Sequence, residues 1–149
     1  MFLAKATFKT LVASAPLISI DIIVENDKQE ILLGKRLNKP AQGYWFVPGG
    51  RVYKNESLES AFQRIAESEL GSPLAIAKAD FMNVYQHFYK DSFVDEHVST
   101  HYVVLAYKVK SNLESLVLNS QHESYKWFSV EEALNSDLVH NYTKDYLNF

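Results

Sequence analysis

The sequence lacks cysteine and has no strong excess of either charge. Its 149 residues contain no cysteine, which excludes a disulfide framework and a zinc site built on thiolates. The 15 basic and 18 acidic side chains give a net charge of -3, so a broad cationic surface for nucleic acid is not expected. The first residues do not combine a basic segment with a long apolar run. These absences favour a cytoplasmic protein that binds neither nucleic acid nor a membrane.

The composition is typical of a globular domain. Hydrophobic residues make up 47% of the chain and aromatic residues 13%, which is enough to form a core in a chain of this length. No repeat, linker or low-complexity tract interrupts the sequence. We therefore expect a single domain over residues 1–149.

Alternating apolar residues predict several strands. Ile18, Ile20, Ile22 and Val24 share one face of residues 17–24, and this period of two is typical of a strand. The predicted strands are residues 17–24, 30–34, 44–47, 81–89, 98–109 and 124–128. Because helices are interspersed with them, we expect an α/β fold with a sheet covered by helices on its faces.

The clearest helix is predicted at residues 57–70. Five apolar side chains lie on one stripe of this segment, as in a helix that covers a core. Either Asn55 or Ser57 is available as the N-terminal cap, and Gly71 supplies the C-terminal stop.

Three shorter segments complete the prediction. Residues 5–13 form a short helix that closes before Pro16. Ser129 and Glu132 have the spacing of a capping box, which predicts that another helix begins there. Residues 137–149 form either a third helix or a frayed end.

Glu69 lies on the inward stripe of the predicted 57–70 helix. At 100 degrees per residue it projects almost over Ile65 and within one turn of Phe62. A carboxylate in this position is either a terminal side chain that reaches solvent or a metal ligand. From the residues alone, both interpretations stand.

The turn before this helix offers a second oxygen donor. Gly49 and Gly50 follow Pro48, and glycines allow a backbone carbonyl to approach a cation closely. An ordinary turn between a strand and a loop is the alternative. Glu56 and Glu67 are expected on the solvated side of the helix.

Residues 50–71 resemble a Nudix box that has lost carboxylates. The family pattern is a Gly, five residues, a Glu, seven residues and then Arg-Glu-aliphatic-any-Glu-Glu-any-Gly. Glu56, Arg64 and Glu69 fit this pattern, whereas Ile65 and Ser68 stand where two of the three clustered glutamates would be. A frame without its carboxylates predicts altered chemistry.

Residues 34–52, GKRLNKPAQGYWFVPGGRV, are similar to the GDP-mannose mannosyl hydrolases, a divergent Nudix family. The similarity extends through YQHFY at 85–89, THYVVL at 100–105 and QHESYKW at 121–127. It implies an α/β/α Nudix sandwich with a mixed sheet, a homodimer, and Mg2+-dependent hydrolysis of GDP-mannose and GDP-glucose to GDP and free sugar. It also implies that water attacks the anomeric carbon with inversion, whereas most Nudix enzymes attack phosphorus.

The resemblance assigns metal ligands by position. The Gly49 carbonyl, the Glu69 carboxylate and the Gln121 side chain would hold one Mg2+ per subunit, with Mn2+ as a possible substitute, and all three supply the oxygen donors that this ion prefers.

The resemblance also assigns the groups that hold the diphosphate. Arg36 and Arg51 would clamp it, because a planar guanidinium pairs with two oxygens and stabilises the leaving charge. Tyr102 would add a hydrogen bond to the leaving group, and Arg64 would support the metal or the phosphate. From the residues alone, solvated surface charge is the favoured interpretation of Arg36 and Arg51.

His122 is the predicted general base. A neutral imidazole can accept the proton of water near neutral pH, although a histidine in a surface loop is the alternative. Asp21 is in an apolar strand, where an unpaired carboxylate is costly, so either a structural partner or the sugar pocket explains it. His87 has the same two explanations. His97, His101 and His140 are interpreted as structural or surface residues.

Two other functions remain open on these residues. One is a conventional nucleotide-sugar pyrophosphatase that yields GMP and a sugar 1-phosphate, and Ile65 and Ser68 argue against it. The other is a sensor that binds GDP-sugars without turnover, and such a protein has no evident need for His122.

Overall fold

A computed structural model describes residues 2–113 and 122–148, without the side chains of residues 122 and 123. In this part of the chain the strands are β1 (Leu17–Glu25), β2 (Glu30–Arg36), β3 (Trp45–Phe46), β4 (Gly49–Arg51), β5 (Asp80–Tyr89), β6 (Thr100–Lys110) and β7 (His122–Ser129). The helices are α1 (Lys5–Ser14), α2 (Leu58–Leu70), α3 (Val130–Asn135) and α4 (Asn141–Asp145), with a short 3-10 helix at Ile76–Lys78. None of the described helices combines the length and apolar character needed to cross a bilayer.

The strands form one mixed sheet. Its main order is β3-β2-β1-β6-β5, with β4 paired to β1 and β7 paired to β2. The β1 and β6 strands run parallel over nine residue pairs, whereas β5, β4 and β7 pair antiparallel with their neighbours. A parallel pair inside an otherwise antiparallel sheet matches the mixed sheet that was predicted.

The two faces of β1 bury different parts of the chain. Ile20, Ile22 and Val24 pack against α2, where Phe62 and Ile65 belong to the same cluster. The opposite face, with Ile23, packs against the C-terminal segment, including Tyr146 and Leu147. Helices therefore cover both faces of the sheet, as the sequence predicted.

The cap and stop of α2 follow the sequence closely. Ser57 is the N-cap, and its side chain accepts a hydrogen bond from the Ser60 amide at 3.1 Å. Gly71 ends the helix with φ of 70°, a left-handed conformation that favours glycine. Asn55 is the residue before the helix with positive φ, 68°, and is not the cap.

One local prediction was wrong, and one open alternative is decided. Gly49 and Gly50 do not form a simple turn, because they pair with Asp21 and Ile20 of β1 as part of β4. Of the two alternatives for residues 137–149, the helix is confirmed over Asn141–Asp145 as α4, and Tyr146 and Leu147 after it are buried. The aromatic side chains of this segment pack into the second core cluster, which outweighs the low intrinsic stability of a five-residue helix.

Candidate active site

A cavity of about 680 Å³ opens beside the sheet. It is lined by residues from α1, β1, β2, β4, α2, β5 and β6, and from the loops between them. The lining residues among the predicted site residues are Asp21, Arg36, Gly49, Arg51, Arg64, Glu69, His87 and Tyr102. Segments far apart in the sequence thus place eight predicted residues around one cavity.

Glu69 brings a buried carboxylate to this cavity. The inward stripe of α2 carries it to 5% exposure, so the predicted orientation is confirmed. The Tyr125 hydroxyl donates to the Glu69 main-chain oxygen at 2.7 Å and lies 3.4 Å from Oε2. This contact anchors the last turn of α2 to β7 and fixes where the carboxylate stands. The interpretation that Glu69 reaches solvent is wrong.

Gly49 allows the backbone to lie close to Asp21. A Cβ at this position would collide with Asp21 Oδ1 and lie only 2.8 Å from the Ile20 carbonyl oxygen. Any larger residue would therefore push β4 away from β1. The glycine keeps the main chain of β4 in the wall of the cavity, together with Glu69.

The donors present fit a hard divalent cation. The Glu69 carboxylate and the Gly49 main chain line the same cavity, and oxygen donors are the ligands that Mg2+ prefers. Among residues 2–113 and 122–148, no group of three or more His, Asp or Glu side chains is arranged to hold a metal. Ile65 belongs to the core at 2% exposure, so one carboxylate remains where an intact box would gather several.

Three arginines meet the cavity in different ways. Arg36 Nε donates to the Pro40 carbonyl at 2.8 Å, which fixes its stem at the end of β2. The Arg51 guanidinium lies over the rings of Phe8 and Tyr53, 5.1 and 4.7 Å from their centroids. Such cation-π contacts orient a planar cation while leaving its N–H edge available. The interpretation as freely solvated surface charges is wrong for both, since both are half-buried.

Arg64 pairs with Glu56, a residue that was expected to be solvated. It donates from Nε and Nη2 to the two Glu56 carboxylate oxygens at 2.7 and 2.9 Å. A further bond joins Nη2 to the Arg51 carbonyl at 2.8 Å. Glu56 is therefore not a solvated side chain, and its pKa is lowered chiefly by the hydrogen bond from Arg64. Arg64 thereby ties the middle of α2 to the loop before the helix and to β4, while Glu67 is exposed as expected.

Asp21 and His87 are linked through Tyr146. The Tyr146 hydroxyl donates to Asp21 Oδ2 at 2.6 Å and lies 3.2 Å from His87 Nε2. Burial raises the pKa of Asp21 to about 7, against the opposing effect of the Tyr146 hydrogen bond. Burial lowers the pKa of His87 to about 4, with a smaller contribution from His140. Asp21 therefore has a structural partner and also lines the cavity, while its role toward the sugar stays a prediction.

Tyr102 faces the same region from β6. It is the register partner of His87, and burial raises its pKa above the usual tyrosine value. The phenol therefore keeps its proton near neutral pH and can donate a hydrogen bond into the cavity.

Of the predicted site residues Gln121 and His122, the structure describes only the backbone of His122. The backbone of His122 begins β7 and lies opposite Arg36 in the register, so its strand position borders the cavity. Gln121 lies outside the described residues. Their roles as base and metal ligand stay predictions.

Sequence reasoning missed several residues that shape the site. Tyr146 and Tyr142 come from the C-terminal segment, and Phe8 and Tyr53 hold Arg51. No local pattern marks these aromatics as neighbours of the cavity, because the contacts span up to 125 positions. An unusual density of aromatics, with Tyr142 and Tyr146 near the end of the chain, was the one available signal.

Comparison with known proteins gives a consistent result. Residues 15–147 match the family model described as NUDIX domain. The low-salt glycan biosynthesis protein of Haloferax volcanii is 36% identical over 141 residues, which cover 95% of this chain and 86% of the relative. The MutT NUDIX hydrolase from Burkholderia pseudomallei superposes with a TM-score of 0.71 at 28% identity, covering 90% and 97% of the two chains. The MutT protein from Methanosarcina mazei Go1 shares the fold, with a TM-score of 0.69 at 22% identity and coverage of 90% and 92%. The predicted fold class is confirmed.

Proposed function

This chain belongs to the Nudix family, and we propose that it hydrolyses GDP-mannose, and also GDP-glucose, to GDP and the free sugar. Nudix hydrolases generally use a divalent ion, typically Mg2+. The observation that carries the proposal is a cavity in which Glu69, the one remaining member of the three clustered box glutamates, is buried together with Arg36 and Arg51. Ile65 and Ser68 replace the other two clustered glutamates. This set of groups is suited to neutralising the negative charge of a diphosphate leaving group.

The distribution of charge supports attack at carbon. Attack at phosphorus is assisted by clustered metal ions that position hydroxide and neutralise the transferred group. Displacement at an anomeric carbon requires instead that the departing diphosphate be neutralised while positive charge grows on the sugar. Arg36 and Arg51 meet the first need as cations, and Asp21, which faces the same cavity, meets the second in its ionised form, above its raised pKa of about 7.

The reaction assigns a separate task to each group. In the proposed step, the oxygen of water forms a bond to the anomeric carbon as the bond from that carbon to the diphosphate oxygen breaks. The bonding electrons leave with GDP, where Arg36, Arg51 and the Tyr102 hydroxyl stabilise the added charge. The His122 imidazole accepts the proton of the attacking water.

The proposed metal site consists of the Gly49 carbonyl, the Glu69 carboxylate and the Gln121 side chain. One Mg2+ per subunit, or Mn2+ in its place, would supply positive charge to the diphosphate of the leaving group. Arg64 belongs to the support of this site, because its bonds to Glu56 and to the Arg51 carbonyl hold β4 against α2.

We infer the biological setting from one relative. Similarity to a protein named for low-salt glycan biosynthesis supports a role in controlling nucleotide sugars for polysaccharides. We place this activity in the cytoplasm and in a homodimer, whose mass can be measured by light scattering after gel filtration.

Product analysis distinguishes the three candidate functions. The protein is incubated with GDP-mannose and Mg2+, and the products are separated by anion exchange and identified by phosphorus NMR. GDP and mannose are expected. GMP with mannose 1-phosphate would establish the pyrophosphatase instead, and saturable binding in calorimetry without products would establish the sensor. Repeating the incubation with GDP-glucose tests the second substrate.

A pair of variants on α2 provides the matched control. Glu69→Gln removes the buried charge at the cavity, whereas Glu67→Gln makes the same chemical change on the exposed side of the helix. Only the first substitution is expected to reduce GDP release. Equal effects of both would show that the loss comes from the helix and not from the site.

A further inference from the structure

Tyr146 is a fully buried tyrosine behind the cavity. Its side chain is 0% exposed, and it follows α4 near the end of the described chain. Its hydroxyl stands between two groups that face the cavity, at 2.6 Å from Asp21 Oδ2 and 3.2 Å from His87 Nε2. One hydroxyl thus connects the polar side chains of β1 and β5.

The number of available protons determines the direction of the hydrogen bonds between Asp21, Tyr146 and His87. When the Asp21 carboxyl is ionised it can only accept, so the single proton of the Tyr146 phenol is donated to it in the short bond. The phenol oxygen then acts as an acceptor toward His87, so Nε2 must carry a proton. Burial lowers the pKa of His87 to about 4, and a neutral ring protonated at Nε2 has Nδ1 as an acceptor.

Packing holds each member of this chain in place. The Tyr146 ring meets Tyr85 edge to face, with centroids 4.8 Å apart. The His87 ring stacks on Tyr142 at 4.1 Å with an interplanar angle of 8°. The Tyr142 hydroxyl is bonded to both the amide and the carbonyl of Phe88 at 3.0 Å. Rings fixed in this way leave little freedom for the hydrogen bonds to rearrange.

The two carboxylate oxygens of Asp21 have different neighbours. Oδ1 lies against Gly49, where a Cβ would collide with it, while Oδ2 is held by Tyr146. The carboxylate is therefore clamped between β4 and the C-terminal segment. A rotation that released Oδ2 would break a buried charge-assisted bond.

We propose that Tyr146 is a positioning residue, which fixes the orientation of the Asp21 carboxylate and the tautomer of His87 at the sugar end of the substrate. The proposal rests on the proposed function for its catalytic consequence, but its structural part can be measured separately. Tyr146 is not among the residues that line the cavity, and it acts through the two side chains that do. Loss of the Tyr146 hydroxyl would leave the Asp21 and His87 side chains in place, but the Asp21 orientation and the His87 tautomer would no longer be fixed.

The first test reads the tautomer directly. Nitrogen-proton correlation NMR of the imidazole rings is recorded at about pH 8.5, where a neutral ring is observed. The chain has five histidines, so the His87 signals are assigned by their disappearance in His87→Gln. A proton on Nε2 is expected in the unaltered protein, and a ring protonated at Nδ1 overturns the proposal even if no variant of Tyr146 folds.

The second test removes only the hydroxyl. Tyr146→Phe keeps the ring that packs against Tyr85, and it should let His87 populate both tautomers. We expect kcat for GDP-mannose to fall about tenfold or more, with less than about a twofold change in the inhibition constant of GDP. Tyr85→Phe removes a hydroxyl from the neighbouring ring and is expected to keep kcat and the tautomer unchanged.

The outcomes separate this proposal from the proposed function. If the unaltered protein hydrolyses GDP-mannose and Tyr146→Phe retains its kcat, the positioning role is refuted while the function stands. If the tautomer responds as expected but GDP-mannose is not hydrolysed, the function is refuted while the structural role stands. A parallel loss of GDP binding and kcat in Tyr146→Phe would indicate a general disturbance of the fold and would overturn the positioning role.

Discussion

Acidification should change the free energy of unfolding in opposite directions through His87 and Asp21, the two buried groups that Tyr146 connects. The pKa of His87 is lowered by burial to about 4 from an ordinary value of 6.5. Between these values the unfolded chain binds the additional proton, so the free energy of unfolding decreases as the pH falls. The pKa of Asp21 is raised by burial to about 7 from 3.8. Here the folded protein binds the additional proton, so the free energy of unfolding increases as the pH falls.

The two contributions are of similar size. At 1.36 kcal/mol for each pH unit, acidification from about pH 7.5 to 4.5 removes about 2.5 kcal/mol through His87 and adds about 3 kcal/mol through Asp21. In the unaltered protein, this pair should therefore contribute little net pH dependence to the free energy of unfolding. Substituting one member exposes the contribution of the other.

Urea unfolding of three proteins provides the assay. The unaltered protein, Asp21→Asn and His87→Gln are compared at both pH values in the presence of EDTA, so that no bound cation contributes. Relative to the unaltered protein, Asp21→Asn should lose about 3 kcal/mol on acidification, and His87→Gln should gain about 2 to 3 kcal/mol. Because the other carboxylates are common to all three proteins, their contribution cancels. Equal pH dependence in all three would refute the reasoning.

Three further predictions concern other parts of the site. His122→Ala should lower kcat about 100-fold or more near neutral pH while GDP binding is retained, and an unchanged kcat in a steady-state assay would remove His122 as the base. Glu69→Gln should raise the Mg2+ concentration needed for half-maximal activity and lower the rate together, whereas a normal Mg2+ titration would contradict its assignment as a ligand. Glu56→Gln breaks the pair with Arg64 and should lower Tm by about 2 to 4 °C, measured by circular dichroism against Glu67→Gln, and equal Tm values would show that the pair is not stabilising.

Local patterns in the sequence predicted the elements of the fold well. The α2 helix carries its own cap, stripe and stop in Ser57, the apolar residues and Gly71, so local chemistry specifies it. Helical geometry assigned Glu69 to the inward stripe, but only the structure decided that its side chain is buried. The strands of the sheet followed from alternation of apolar residues, because one face of each strand must be buried.

Contacts between distant segments were not predictable in the same way. The bond from Tyr146 to Asp21 joins residues 125 positions apart, and no periodicity in either segment encodes it. Arg64 was assigned to the metal or the phosphate, but the sequence does not show that Glu56 is the nearer partner. The short β4 strand was missed because two glycines suggest a turn, whereas pairing with β1 determines its conformation. Tertiary packing overrides local propensity in each case.

The central claim is that water attacks the anomeric carbon of the sugar, and hydrolysis in water enriched with oxygen-18 tests it most directly. Both attack at that carbon and attack at the adjacent phosphorus release GDP and mannose, so the products alone do not distinguish them. Mass spectrometry of the two separated products at early times locates the label. The account predicts label in mannose and none in GDP, and label in the terminal phosphate of GDP would contradict it.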